Sequence, residues 1–341
     1  MRSKEDLLKR FVSGDRVALS RIITLVENRD EGYAELFDRI FPRTGKAYRI
    51  GVTGPPGAGK STLVSCLVQS IRATGRTVGV IAVDPTSPFT GGALLGDRIR
   101  MQEIGCDEGV FVRSMATRGS LGGLAEAAGD VADVMDAFGQ DVVITETVGV
   151  GQCELDIAQA CYTTIVVIVP ESGDSVQAMK SGLMEIADII VINKSDREGA
   201  ERIAAETRSM LELRRPHAYA PPHGDGTAGD AQRGSNAHEQ AGTAWQVPVL
   251  QTVASRREGI AELHEAVERH RQFLTASGML QRHRKANVEA TIRGVVDLEL
   301  SRKVWNEASV SRLHGLVADV IEGRKTPRQA SDEIISMVGK I

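Results

Sequence analysis

The chain has 341 residues, of which 42% are hydrophobic and only 4% aromatic, and its formal net charge is −4. That length suits one large α/β domain with appendages, and the mild acidity argues against a nucleic-acid binder, which carries a basic face. Four scattered cysteines, Cys66, Cys106, Cys153 and Cys161, form no C-x-x-C pair, so they predict reduced thiols in a cytoplasmic protein, not a disulfide frame or a zinc site. No apolar run is long enough to span a bilayer, and the opening MRSKEDLLKRF lacks the apolar core of a signal peptide.

Residues 1–46 read as an N-terminal helical segment. Ser3 can cap a first helix, with Glu5 and Asp6 in its opening turn. Asp15 can cap a second, in which Val17, Leu19, Ile22, Ile23 and Val26 supply an apolar face. A third holds Tyr33, Leu36, Phe37 and Ile40 and ends before Pro42. The pattern is that of a packing subdomain without chemistry.

From Arg49 the chain reads RIGVTGPPGAGKS. A short apolar run leads into Gly54-Pro55-Pro56-Gly57-Ala58-Gly59-Lys60-Ser61-Thr62 and then into a helical pattern. Every fixed position of G-x-x-x-x-G-K-[ST] is present. The glycines let backbone N–H groups turn onto phosphate oxygens, and the helix N-terminus adds partial positive charge. Lys60 can reach the β- and γ-phosphates, and the Ser61 hydroxyl can hold Mg²⁺.

Apolar runs then alternate with helical stretches: Ile50–Thr53, Val78–Val83, Val110–Arg113, Val142–Thr145, Thr164–Val169, Ile189–Ile192 and Val247–Thr252. Near-continuous apolar strands separated by helices predict a parallel sheet covered on both faces, with ligands at the carboxyl ends of its strands. The informative residues fall at those ends. Asp84 closes the second run, where a carboxylate can hold Mg²⁺ directly or through water, and Asp97 opens the next helical stretch within reach of the same ion. Either acid also suits a helix cap or a turn. The run Pro85–Gly96 reads as a loop.

After Val142–Thr145 comes Glu146-Thr-Val-Gly149-Val-Gly151-Gln152. In GTPases with this phosphate loop the position is held by Asp-x-x-Gly, whose acid sees the metal and whose glycine N–H sees the γ-phosphate. Here the acid is Glu146, Val150 follows the glycine, and Gln152 is the nearest candidate for orienting water. Gly149-x-Gly151 lacks the third glycine of a dinucleotide fingerprint. After Thr164–Val169 a second polar loop carries Asp174, which fits an N-cap, and Lys180 lies on the following helix. After Ile189–Ile192 stands Asn193-Lys194-Ser195-Asp196, a match to N-K-x-D. Its Asp can accept both guanine N1–H and the exocyclic amine, and adenine has no such donor pair. Val253 and Ala254 close the last strand, where a backbone N–H usually completes the base pocket.

Residues 215–246 are rich in Gly, Ala, Pro and polar types without period and read as an insertion. Its histidines, His217, His223 and His238, have irregular spacing and no accompanying cysteine, unlike a metal site. From Glu258 the chain is helical, with Ile260, Leu263 and Val267 on one face. A long stretch from Gln281 to Trp305 and two shorter ones, Ser309–Ile321 and Pro327–Val338, follow. They are small for an independent core and suit packing on the domain or on a second chain.

The set GPPGAGKS, AVDPTSPFTGGALLGDRIRM, ETVGVGQ, GDSVQAMKSG and NKSD resembles the MeaB/ArgK group of GTPases, whose human member is the methylmalonic aciduria type A protein. These are chaperones of cobalamin-dependent acyl-CoA mutases. The resemblance is dense over about residues 45–215 and looser in the helical ends. It implies a P-loop NTPase G domain over 47–277, a mostly parallel sheet between helices. It implies further a C-terminal helical dimerisation arm over 278–341 and a homodimer, and GTP/GDP with Mg²⁺ near Ser61, Asp84, Asp97 and Glu146. A third switch segment around Asp174 and Lys180 would address the mutase, and an adenosyltransferase is a further candidate partner. No nucleic acid or membrane is implied. The group's older name, a transport-system kinase, offers a kinase as an alternative, against which N-K-S-D counts. A metallochaperone GTPase is another, but the Cys/His clusters of such proteins are missing from the sequence.

Overall fold

The computed structural model describes residues 4–30, 32–84, 102–116, 121–147, 160–170, 183–213 and 244–337. Asp97, Gly149, Gln152, Asp174, Lys180, the Ser3 cap and most of the 215–246 insertion lie outside the described residues. The seven apolar runs form one sheet: β1 Tyr48–Thr53, β2 Val78–Asp84, β3 Val110–Ala116, β4 Val142–Glu146, β5 Thr163–Ile168, β6 Ile189–Asn193 and β7 Val249–Thr252. The spatial order is β3-β2-β4-β1-β5-β6-β7, and every pairing is parallel. β7 begins two residues later than the apolar run predicts. Pro248 has no N–H to give a ladder, though its carbonyl accepts from Ile190 N.

Helices cover both faces. α1 Lys4–Val12, α2 Arg16–Asn28 and α3 Tyr33–Ile40 form the N-terminal segment, with a 3₁₀ turn at Phe41–Arg43 that contains Pro42. Asp15 caps α2 as the sequence predicts, accepting from Val17 N and Ala18 N. Leu19, Ile22, Ile23 and Val26 are buried, but Val17 faces solvent because at 100° per residue it lies on the side of α2 opposite that buried face. These helices pack with α5, Leu121–Phe138, over β2, β3 and β4. On the other face α4, Lys60–Arg72, and α7, Ile260–Ala276, bury Leu63, Leu67, Leu263 and Val267 against β1 and its neighbours. α6, Ala200–Leu213, covers β5 and β6. A continuous helix, α8 Met279–Val304, follows.

The fold divides into two compact units, Met1–Arg284 and Lys285–Ile341. The second contains α9 Glu307–Ile321 and α10 Pro327–Ser336, joined by a small core of Leu316, Ala330 and Ile334. Asn306 caps α9, and Thr326 with Gln329 makes a capping box at α10. Among the described residues no helix is long and apolar enough to cross a membrane.

At the amino end of the sheet, opposite the glycine loop, lies a buried polar cluster. Thr163 Oγ1 meets Tyr48 OH at 2.6 Å and His270 Nδ1 at 2.9 Å. His270 Nε2 stands 3.5 Å from Asp188 Oδ1, while Asp188 Oδ2 accepts from Thr164 N at 2.8 Å. Trp245 donates to the Asp188 carbonyl and lies on the His270 ring. The hydroxyl–imidazole–carboxylate order resembles a hydrolytic triad, but Thr163 and His270 are wholly buried, so no substrate can reach it. Burial pushes the Asp188 carboxyl up to about 7 and His270 down to about 3.

The raised Asp188 favours folding at low pH and loses that contribution as pH rises towards 7. The lowered His270 opposes it, since its contribution is lost as pH falls from 6.5 towards 3. The two cancel in the mildly acidic range, where folded and unfolded pairs each hold one proton. An amide at 188 can accept from Thr164 N and donate to His270 Nε2 without ionising. Asp188→Asn removes only the carboxyl's share and leaves that of His270, so it is expected to raise the melting temperature by about 2–4 °C more at pH 8 than near pH 5.5. Equal shifts at both pH values would show that Asp188 does not titrate in this range.

Candidate nucleotide site

The carboxyl ends of β1, β2, β4, β6 and β7 converge on one edge of the sheet. β1 enters the glycine loop through Gly54, at φ +138°, where an added Cβ would stand 2.0 Å from the Val167 carbonyl oxygen. The strand exit is thus pressed onto β5, and only glycine fits. Gly57 and Gly59 take left-handed φ values of +75° and +84° and lead the chain into the first turn of α4. Ala58 is buried between them. Lys60 folds back over the loop: its Nζ donates to the carbonyls of Gly54 at 2.7 Å and Pro55 at 3.0 Å. A phosphate oxygen is a stronger acceptor for that ammonium than either carbonyl. The first N–H groups of α4, around Ser61 and Thr62, have no partner inside the helix and favour an anion.

Ser61 Oγ donates to Glu146 Oε1 at 2.6 Å, and both side chains are buried. Glu146 ends β4 and pairs with Val52 of β1. On its other side it pairs with Ala82 of β2, so Asp84, the last residue of β2, stands two residues beyond that pair. The structure thus places the Ser61 hydroxyl and the Glu146 carboxylate in contact, with a second acid at the end of the adjoining strand. This all-oxygen set suits a hard cation such as Mg²⁺.

The N-K-S-D segment follows β6 directly. Asn193 is buried, and its amide is spent inside the protein: Nδ2 donates to Ala58 O at 2.8 Å, and Oδ1 accepts from Thr252 Oγ1 and Ala254 N, each at 3.1 Å. It ties the phosphate loop to the exit of β7, which makes it a positioning residue. Lys194 takes φ +58° and donates from Nζ to Gly57 O at 2.7 Å, so its stem spans from this segment to the phosphate loop. Asp196 is exposed and ion-paired with Arg256 at 3.3 Å. Val253 and Ala254 are buried, and their N–H groups go to Glu258 O and Asn193 Oδ1.

The residues thus assembled are Gly54–Thr62 with Glu146, and Asn193, Lys194 and Asp196 beside Val253 and Ala254. Sequence reasoning missed Arg256 as the partner of Asp196. It also missed Thr53 and Thr147, whose hydroxyls meet at 2.9 Å beside the glycine loop. Their only signal is a hydroxyl side chain at each strand exit amid otherwise apolar runs.

With this geometry in place, the comparisons are specific. The family described as "Methylmalonyl Co-A mutase-associated GTPase MeaB" matches residues 19–309. A protein of Pyrococcus abyssi named as a GTPase is 47% identical over 98% of this chain and 96% of its own. The mouse mitochondrial methylmalonic aciduria type A homolog is 30% identical, over 95% of this chain and 77% of its own. Among solved structures, that of a LAO/AO transport system kinase superposes with a TM-score of 0.70 at 27% identity, covering 99% of this chain and 98% of that one.

Proposed function

The chain belongs to the MeaB family of GTPases, and from that premise we propose that it is a Mg²⁺-dependent GTPase that acts as chaperone to a cobalamin-dependent acyl-CoA mutase. GTP hydrolysis would gate the loading of adenosylcobalamin and the protection or reactivation of the mutase. The observation that carries the reading is the Asn193 amide, which couples the phosphate loop to the N-K-S-D segment. It supports one binding site in which a triphosphate and a guanine are held by adjoining elements.

We assign the phosphates to Gly54–Thr62 and Gly149, and the base to Lys194 and Asp196 beside Val253 and Ala254, with Asn193 as the residue that positions them. Lys60 would hold the β- and γ-phosphates as charge moves onto them. Glu146 and Ser61, with Asp84 and Asp97, would hold Mg²⁺, which when bound neutralises charge on the phosphate oxygens. Gln152 would orient the attacking water, and Asp174 and Lys180 would couple the site to the mutase. Gly149, Asp97, Gln152, Asp174 and Lys180 stand here on sequence alone.

A homodimer through the C-terminal arm is part of the proposal. The spacing of Val288, Ile292, Val295 and Val296 on α8, all exposed, supports it, because an apolar stripe at helical spacing is what a partner helix covers. An adenosyltransferase is a further candidate partner, and a cytoplasmic location accords with the cysteine usage.

The test is GTP hydrolysis by the purified protein, alone and with an acyl-CoA mutase of the same organism, with ATP as control. Without a glutamine directly after Gly149, unassisted turnover is expected to be slow, on the order of 10⁻⁴–10⁻³ per second as in unassisted small GTPases, and to rise with the mutase. GTP turnover indifferent to every mutase would remove the chaperone role. ATP turnover with a phosphorylated acceptor would favour a kinase, the activity for which the solved relative is named.

A further inference from the structure

We propose that the buried hydroxyl pair Thr53–Thr147 is a positioning latch for the Glu146 carboxylate, an inference that rests on the GTPase reading above. Thr53 is the last residue of β1, immediately before Gly54, and Thr147 follows Glu146 at the end of β4. Both side chains are buried, at 2% and 4% exposure. Thr147 Oγ1 donates to Thr53 Oγ1 at 2.9 Å. Thr147 N also donates to Val52 O at 3.0 Å, so the β1–β4 ladder continues one residue past the strand and the Glu146–Thr147 peptide is held at both ends.

Two links therefore join the exit of β4 to the phosphate loop, and they differ in kind. The Ser61–Glu146 link uses the hydroxyl and carboxylate that a cation would engage, so it must be exchanged when nucleotide and metal enter. The Thr53–Thr147 link is neutral, and neither oxygen belongs to the donor set. It can persist through the exchange and keep the Glu146 backbone in place while its carboxylate changes partner. A catalytic group needs such support, because displacement by about 1 Å can cost about 10²-fold in rate. Thr53 is itself fixed, paired with Val166 of β5 on its other side and followed by the glycine wedged against Val167.

A hydroxyl pair could instead serve packing alone, and valine separates the two roles because it keeps the shape. A single Thr147→Val leaves the Thr53 hydroxyl buried without its partner and confounds stability with function. Thr53→Val/Thr147→Val removes both polar groups, and such paired replacements are nearly neutral for stability.

The experiment compares wild type and the double variant in three readouts: melting temperature, GDP affinity as a function of Mg²⁺ concentration, and kcat for GTP. The latch predicts a melting temperature close to wild type and a kcat lowered by about tenfold. It also predicts that several times more Mg²⁺ is needed for half-maximal GDP affinity, with Thr147→Ser behaving as wild type. A stable double variant with wild-type kcat and Mg²⁺ dependence would overturn the latch and leave the GTPase reading intact. A wild-type protein that neither binds GDP nor hydrolyses GTP would overturn that reading, and the latch with it.

Discussion

Gly54→Ala is expected to lower GTP and GDP affinity by at least about 10²-fold and to destabilise the nucleotide-free protein. The cause is steric and local. The new Cβ would sit 2.0 Å from the carbonyl oxygen of Val167 and 2.9 Å from its carbonyl carbon, both backbone atoms of β5. No side-chain rotation can relieve that contact, so either the β1–β5 pairing opens or the loop is pushed away from the sheet. The residue is also held at φ +138°, which L side chains rarely adopt. A displaced loop carries its N–H groups off the phosphate oxygens, and the Lys60 ammonium, bonded to the Gly54 carbonyl, moves with it.

Gly57 is the internal control. It also has positive φ, at +75°, but an added Cβ there meets nothing within 4 Å. Gly57→Ala should therefore cost the nucleotide-free protein only the left-handed strain of about 1–2 kcal/mol. Gly59→Ala falls between, because its Cβ would meet the Asn193 amide nitrogen at 2.5 Å, a side-chain atom that can yield only by releasing Ala58 O. Melting temperatures without nucleotide, followed by GDP titration, rank the three. Equal losses for Gly54→Ala and Gly57→Ala would show that the wedge against β5 is not the cause.

This ranking also marks where sequence stops being informative. The glycine loop is legible from spacing alone, since its chemistry demands backbone N–H groups at fixed intervals. Which glycine is pressed against which neighbour depends on strand order, and order is not encoded in any local pattern. The seven strands are legible for a similar reason. Buried on both faces, Ile165–Ile168 and Ile189–Ile192 must be continuously apolar, whereas that β1 lies between β4 and β5 follows only from the assembled sheet.

The same limit explains the polar residues that were missed. Thr53 and Thr147 are 94 positions apart and become neighbours only when β1 and β4 pair. Asn193 reads in sequence as a base contact. In the fold its amide reaches Ala58 and Ala254, because a loop end and a strand end meet at the edge of the sheet. At the other end of the sheet, Trp245 and Asp188 belong to separate segments and gain meaning only through the buried His270 between them.

Asp196→Asn is expected to move nucleotide preference from GTP towards XTP. On the guanine reading, the Asp196 carboxylate accepts from two donors on the base, N1–H and the exocyclic amine. An asparagine presents one acceptor and one donor. Guanine then leaves an amine facing an amide N–H, with a donor unpaired on each side. Xanthine instead offers N1–H to the amide oxygen and its 2-oxo group to the amide nitrogen.

An unmet buried hydrogen bond costs about 1–3 kcal/mol. Losing two on GTP while XTP gains the match should change the affinity ratio by on the order of 10²–10⁴. The substitution also releases Arg256, the ion-pair partner of Asp196. That pair is largely exposed and worth about 0–1 kcal/mol, too little to account for a change of this size. Arg256→Ala is the matching control and should alter GTP and XTP affinity alike, by less than about tenfold. Competition titrations of GDP, XDP and ADP against a fluorescent nucleotide read both variants. Unchanged GDP affinity in Asp196→Asn would mean that the base is recognised elsewhere, and the assignment of the whole N-K-S-D segment would fall with it.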